Sequence, residues 1–320
     1  MNSRPRSAGR QVWAPVWWPV DRLFIGYLAA VALLIAFSFR QVPDAPVVLA
    51  AHALGIALIA AAAMARADSR LVTVFRHWYP LAYIPICYAE MGVLIPAIRH
   101  TDFDARMASI DYRFWGAHPT VWLERFQNPW ATEFLQAAYT LFIPSVILVA
   151  AAIWFKRPHA EFRYYAFLVG LGFLASYLGY FLVPVRGPRF FLAHLQHIDL
   201  HGVWLFDPMQ RLLDRLESAH YDCFPSGHTE LTLIAWWSSR RVSKGLFAAF
   251  SVYAILIVSA TVYLRYHYTV DVFAGVVLAA AVLAVAPRLY TGDAAANEAS
   301  DLPSNAGSSP ASTTSTEVYN

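Results

Sequence analysis

The chain has 320 residues, of which 58% are apolar, 15% aromatic and only 14% charged. Soluble domains carry roughly 25% charged residues, so global disorder, a nucleic-acid-binding domain and a disulfide scaffold are all excluded. The net charge of +3 gives no footing for a nucleic acid partner.

Lipid cannot satisfy an open backbone, so apolar stretches of about 20 residues read as spanning helices. An N-terminal arm, 1–21, carries Arg4, Arg6 and Arg10. Eight spans follow, at 22–39, 46–65, 78–98, 133–155, 164–184, 226–239, 245–264 and 268–288. The fold class is therefore all-α, a polytopic transmembrane helix bundle. Stretches such as GVVLAAAVLAVA do not alternate as a barrel strand would. The first span starts late, runs long and lacks a small-residue cleavage site, so it is not read as a signal peptide. The segment 101–126, TDFDARMASIDYRFWGAHPTVWLERF, mixes aromatics with charges and reads as interfacial helices on the outer surface. The sixth span is short. At about 1.5 Å per residue it falls below a hydrocarbon core of about 30 Å, so either Arg240 and Arg241 snorkel or the helix starts inside a polar cavity. The tail 292–320 has no apolar period and reads as disordered. The domain reading is one membrane-embedded unit over 22–291 between the arm and the tail.

Eight crossings put both termini on one side. The short loops there carry Arg66, Arg70, Arg76, Lys156, Arg157, Arg163, Arg240, Arg241 and Lys244 against Asp68 and Glu161. Positive short loops mark the cytoplasm, so the long loops 99–132 and 185–225 face outward. The alanine-rich spans and only two cysteines point to a bacterial inner membrane.

Three polar clusters share that outer face: PVRGPRFF at 184–191, DCFPSGHTE at 222–230 and TVYLRYHYTVDVFAG at 261–275. Polar groups at membrane depth are costly and call for a function. His267 and Asp271 are four residues apart, so the carboxylate can hold one imidazole nitrogen and leave the other as nucleophile or base. Ser226 and Gly227 open a helix whose amides can hold a phosphate, and His228 stands where it can protonate a leaving oxygen. Arg186 and Arg189 supply forked donors for phosphate, with Arg265 a further candidate. Taken singly, each cluster has an ordinary explanation: a structural ion pair, a helix cap, interfacial arginines on lipid headgroups. Together they amount to a phosphoryl-transfer kit that calls for no metal or other cofactor, since that chemistry needs positioning and charge neutralisation above all.

At these residues the sequence resembles the type 2 phosphatidic acid phosphatase superfamily, over residues 180–285. PSGH at 225–228 is complete, and His267 and Asp271 match the HxxxD of SRxxxxxHxxxD. Ala260 and Thr261 stand where that motif has Ser and Arg, and PVRGPR replaces a KxxxxxxRP motif. These departures, with HYTVDVFAG and IDYRFWGAHPTVWL, resemble the inositol phosphorylceramide synthase-like branch. The resemblance implies a six-helix catalytic core, His267 as phosphoryl-accepting nucleophile, His228 as acid and Asp271 orienting His267 through Nδ1. It also implies phosphate binding by Arg189, Ser226 and Gly227, with Arg265 or Arg186 replacing the arginine missing at Thr261.

Other polar residues carry less. Glu230 lines the pocket or makes a structural bond. Glu90 and the arginines can mark a transport path, and His52 reads as a helix-packing residue. Asp222 suits a turn more than a substrate hydroxyl. The histidines at 194, 197, 201 and 220 lack tight zinc spacing. Cys87 lies in an apolar run and Cys223 in a polar loop, so a bridge is not expected and Cys223 has no evident co-ligands. Trp13, Trp17, Trp18, Trp236 and Trp237 suit an interface belt. The expected activity is that of a membrane lipid phosphatase or phosphotransferase. Its partners are a lipid phosphate and the surrounding lipids, and its oligomeric state stays open. The alternative is a non-catalytic transporter or lipid-binding protein. A soluble vanadium-binding relative is excluded by the spans.

Overall fold

The computed structural model describes residues 16–65, 70–216 and 221–290. The Arg4, Arg6, Arg10, Trp13, Arg66, Asp68 and His220 readings and the tail lie outside them. Among the described residues there is no strand, only one bridge between Val185 and Asp222. The protein is an all-α polytopic bundle.

Six helices are long and apolar enough to cross a membrane. They are α1 (Pro19–Phe37), α2 (Ala45–Met64), α3 (Arg70–Ile98), α8 (His159–Leu182), α12 (Lys244–Tyr263) and α13 (Thr269–Tyr290). Helices α6 (Pro129–Thr140) and α7 (Phe142–Lys156) form a seventh, bent by 48°. The sequence reads one continuous span there. Pro144 lacks the N–H that Thr140 would need and crowds that residue's carbonyl, so the helix breaks at Leu141. Helix α3 starts eight residues before the expected 78, because its polar first turns are anchored: Arg76 packs over the Trp18 ring at 4.1 Å and reaches Asp21 at 3.1 Å. Trp18 is thus a packing residue and not part of an interface belt.

The short sixth segment is α11 (Gly227–Ser239), 13 residues long and enclosed by α7, α8, α12 and α13. Protein neighbours cover its sides, while Trp237, Arg240 and Arg241 at its far end are exposed. The helix starts at a cavity, as the second reading of its length expects. Arg240 stacks on Trp237 at 3.4 Å at one end, and His228 lines a cavity at the other.

The segment 101–126 is helical: α4 (Asp104–Trp115), α5 (Pro119–Trp122) and a short 3-10 turn, Leu123–Phe126. It does more than lie on a surface, since Asp104, Asp111 and Glu124 are all buried. After α8 come α9 (Pro188–Phe191), a 3-10 turn at Ala193–Leu195, and the amphipathic α10 (Phe206–Leu216), which packs on α6.

Candidate active site

The three polar clusters meet through main-chain bonds. Cys223 N–H donates to the Val185 carbonyl (3.2 Å), Arg189 N–H to Arg265 (3.0 Å) and Ser226 N–H to Asp271 (3.0 Å). Carboxylates from α4 hold the loops from outside. Asp104 accepts from the amides of Arg186 (2.8 Å) and Gly187 (2.9 Å) and from the Tyr268 hydroxyl (3.0 Å), tying the first cluster to the third. Burial pushes the Asp104 carboxyl above its ordinary value, opposed by those same donors. Gly187 sits at φ 99, and a Cβ there would lie 2.9 Å from the Tyr266 carbonyl, so this close approach requires glycine. Asp111 caps α13 from a distance. It accepts from Thr269 N–H (2.8 Å), Thr269 O–H (2.7 Å) and Val270 N–H (2.9 Å), placing negative charge at a helix N-terminus.

The result is a cavity of about 190 Å³ whose walls include His228, His267, Arg186, Arg189 and Tyr139. His267 Nε2 lies 3.4 Å from His228 Nδ1. His267 Nδ1 lies 2.9 Å from the Cys223 carbonyl. A carbonyl oxygen only accepts, so Nδ1 carries the hydrogen and Nε2 keeps its lone pair. The Nδ1 of His228 must then be the donor toward it. Tyr139 stacks on the His228 ring (4.4 Å, 23°), and Phe142 packs on it at 4.4 Å, fixing its plane.

The expected direct bond from His267 Nδ1 to Asp271 is not made; the separation is 3.7 Å. The Tyr268 amide (2.8 Å) and the Cys223 thiol (2.9 Å) both donate to Asp271 Oδ2, and among the described residues Oδ1 has no hydrogen-bond partner. Burial, and next the charge of Asp271, push the Cys223 thiol well above its ordinary range, which keeps it a donor. Asp271 Oδ2 thus faces His267 Nδ1 at 3.7 Å, and the Cys223 thiol contacts both. The view that Cys223 lacks co-ligands is also corrected. Its sulfur, a His267 nitrogen and an Asp271 oxygen all lie within 4.8 Å of one another, already bonded among themselves.

The arginines divide. Arg186 and Arg189 line the cavity, and Arg189 meets Asp214 of α10 at 2.7 and 3.0 Å. Arg265 does not reach it. At φ 66 it turns away, donating to Glu124 (3.0 Å), Gln196 (3.0 Å) and the Ile198 carbonyl (2.6 Å). Ser226 is fully buried, and its Oγ accepts from Thr229 N–H at 3.3 Å, so it serves as a cap. Gly227 faces an adjoining cavity, and a Cβ there would collide with the Tyr180 hydroxyl. Asp222 lines the cavity and accepts from the Tyr88 hydroxyl at 2.5 Å.

The residues set aside resolve as structure. Glu230 is buried and bonded to Ser176. His52 takes the Val48 carbonyl (2.9 Å) and lies 3.2 Å from Glu90. Both cysteines are free, and among the described residues the histidines at 194, 197 and 201 form no metal-ligand cluster.

Paired imidazoles and two arginines thus line one small cavity of the helical bundle. A family model described as the PAP2 superfamily matches residues 105–285, more than half of the chain, and the chain belongs to that superfamily. It is also 30% identical over 113 residues to a PA-phosphatase related-family protein of Dictyostelium discoideum. That match covers 32% of this chain and 20% of the relative. No solved structure matches.

Proposed function

We propose that the chain transfers a phosphoryl group from a lipid phosphate by way of a phosphohistidine at His267, from the extracytoplasmic face. The observation that carries this is the pair of facing imidazole nitrogens, 3.4 Å apart, on a cavity that Arg186 and Arg189 also line. A contact that long is a weak hydrogen bond, so an arriving phosphate parts the pair at little cost.

The arginines neutralise the phosphate oxygens, which is where a loose transition state carries its charge. The Nε2 lone pair attacks phosphorus. The N–P bond forms as the bond from phosphorus to the lipid oxygen breaks, and His228 gives its proton to that oxygen. In the second half, water or an alcohol loses a proton to His228 and attacks phosphorus, and His267 leaves. From a phosphomonoester donor, water yields free phosphate. From a phosphodiester donor the headgroup stays on phosphorus while the lipid alcohol leaves, so a lipid hydroxyl then yields headgroup transfer, the outcome that the GPR-type first cluster and HYTVDVFAG favour by their resemblance to the inositol phosphorylceramide synthase-like branch.

The test uses purified protein in lipid nanodiscs with phosphorus-labelled lipid. An alkali-stable, acid-labile phosphoprotein is expected, absent in His267→Ala, which folds but does not turn over. Full activity in that variant sinks the mechanism. Released phosphate marks a hydrolase; a new labelled lipid, formed on adding ceramide or diacylglycerol, marks a transferase.

A further inference from the structure

Among the described residues, Cys223, His267 and Asp271 bring a sulfur, a nitrogen and an oxygen close enough together to hold one metal ion. Cys223 Sγ lies 3.4 Å from His267 Nδ1 and 2.9 Å from Asp271 Oδ2, and Nδ1 lies 3.7 Å from Oδ2. Ligands about 2.0–2.3 Å from a tetrahedral zinc stand roughly 3.3–3.8 Å from one another. Two of the three separations fall in that range. The third is the hydrogen bond of the thiol, and it lengthens by about half an ångström when an ion takes the place of the proton. The Cys223 and Tyr266 carbonyls, 2.9 Å from Nδ1 and 3.2 Å from the sulfur, border the same group as further oxygen donors. A second observation points the same way. Asp271 is fully buried, and its Oδ1 has no hydrogen-bond partner among the described residues. A buried carboxylate oxygen without a donor is stabilised by a nearby cation. Cys223 and His267 both line the histidine cavity, which gives an ion its way in, and there Asp214 and Asp222 offset the charge of Arg186 and Arg189.

We propose that Cys223, His267 and Asp271 form a site for a thiophilic divalent cation, zinc by its geometry, whose binding switches the histidine off. Thiolate and imidazole select such ions over magnesium and calcium, which take oxygen ligands. A coordinating ion deprotonates a thiol outright, against the burial that holds Cys223 protonated. Sγ, Nδ1 and Oδ2 then each give the ion a lone pair, and the thiol proton leaves to solvent. Coordination through Nδ1 needs the lone pair that Nδ1–H lacks, so the imidazole hydrogen moves to Nε2. Nε2–H has no lone pair with which to attack phosphorus. One ring cannot serve the ion and the phosphate at once. This last step rests on the reading of His267 as the phosphoryl acceptor; the ion site itself does not.

The test uses the full, tag-free chain in nanodiscs, with cadmium as the optical probe. A cadmium–thiolate charge-transfer band, saturating at a single ion per chain, is expected in wild type and in Cys87→Ala and is lost in Cys223→Ala. Zinc affinity, read by competition with a chromophoric chelator, falls in Cys223→Ala by about 100-fold or more, past the usual 10–100-fold cost of disturbing a ligand's surroundings. No band in wild type, or a band that survives in Cys223→Ala, overturns the site. Because that variant can fail to fold, a second measurement uses wild type alone. X-ray absorption at the zinc edge should show a sulfur at about 2.3 Å beside nitrogen and oxygen at about 2.0–2.2 Å. A shell without sulfur overturns the proposal. Phosphoprotein labelling separates the two readings, and zinc is expected to abolish it in step with occupancy. Full labelling of zinc-saturated protein overturns the switch. The band, without phosphoprotein in ion-free protein, leaves the site standing and the phosphohistidine refuted; phosphoprotein without the band does the reverse.

Discussion

Two buried polar networks sit at opposite ends of the bundle, and one of them faces a cavity. At the start of α1, Asp21 accepts from the Trp18 amide (2.9 Å), Arg76 (3.1 Å) and the Tyr79 hydroxyl (2.5 Å). Both oxygens of that carboxylate are hydrogen-bonded, with three donors in all. At the other end Asp104 and Asp111 each accept three bonds in the same way, from amides and hydroxyls, while Asp271 accepts two on Oδ2 and its Oδ1 has no hydrogen-bond partner among the described residues. Asp21, Asp104 and Asp111 are therefore scaffold in both places. What differs is His267 Nε2 and His228, held rigidly by their neighbours yet presented to open space. A buried polar group marks chemistry when some of its valence is left facing a cavity, not merely because it is buried.

That contrast breaks most sharply at His228. His228→Gln keeps a polar side chain of similar reach but cannot hand over a proton. Turnover is expected to fall by about 10²–10⁴, the usual range for a lost general acid, with little change in thermal unfolding. A drop in melting temperature that accounts for the lost activity would make His228 scaffold like Asp104 and Asp111. Asp21→Ala is the mirror experiment. It leaves Arg76 buried and unpaired, which costs about 3–5 kcal/mol of stability. Whatever fraction stays folded should retain its kcat. Loss of kcat without loss of stability would mean that the Asp21 network reaches the site.

Much of this was legible in the sequence, because the signals were local. Apolar run length gave most of the span ends within a few residues, the start of α3 and the broken α6–α7 pair excepted, and PSGH with HxxxD named the two imidazoles that now face each other. What escaped was anything set by contacts distant in sequence. Asp104 and Asp111, seven apart, share one face of α4, a hint that this face is not solvent, but nothing local says that they bind loops 82 and 158 residues away. Arg265 looked like a phosphate ligand because it stands two residues from His267. Its left-handed backbone turns the guanidinium toward Glu124 instead, and a positive φ at arginine has no signature in a string of residues. The Asp271 bond to His267 was misplaced for the same reason. Cys223, 48 residues earlier, competes for that carboxylate. The break at Leu141 was readable from Pro144, but apolarity alone spoke for continuity.

The smallest expected effect concerns the one contact at the cavity that holds an arginine away from a ligand. Arg189 spends two nitrogens on Asp214, whose side chain is 43% exposed. Those are the nitrogens a phosphate would engage, and the carboxylate occupies the same fork. A partly exposed pair of this kind is worth roughly 0.2–1 kcal/mol, so a doubly charged phosphate displaces it readily. Asp214→Asn removes the competitor and leaves the arginine. Inhibition by inorganic phosphate should tighten by about fivefold at most, as that energy allows, with kcat nearly unchanged. The measurement is a phosphate inhibition constant for wild type and variant at equal ionic strength. Weaker inhibition in the variant would reverse the assignment: Asp214 would then be aiming Arg189 into the cavity and not competing for it, and α10 would belong to the phosphate site as part of its scaffold.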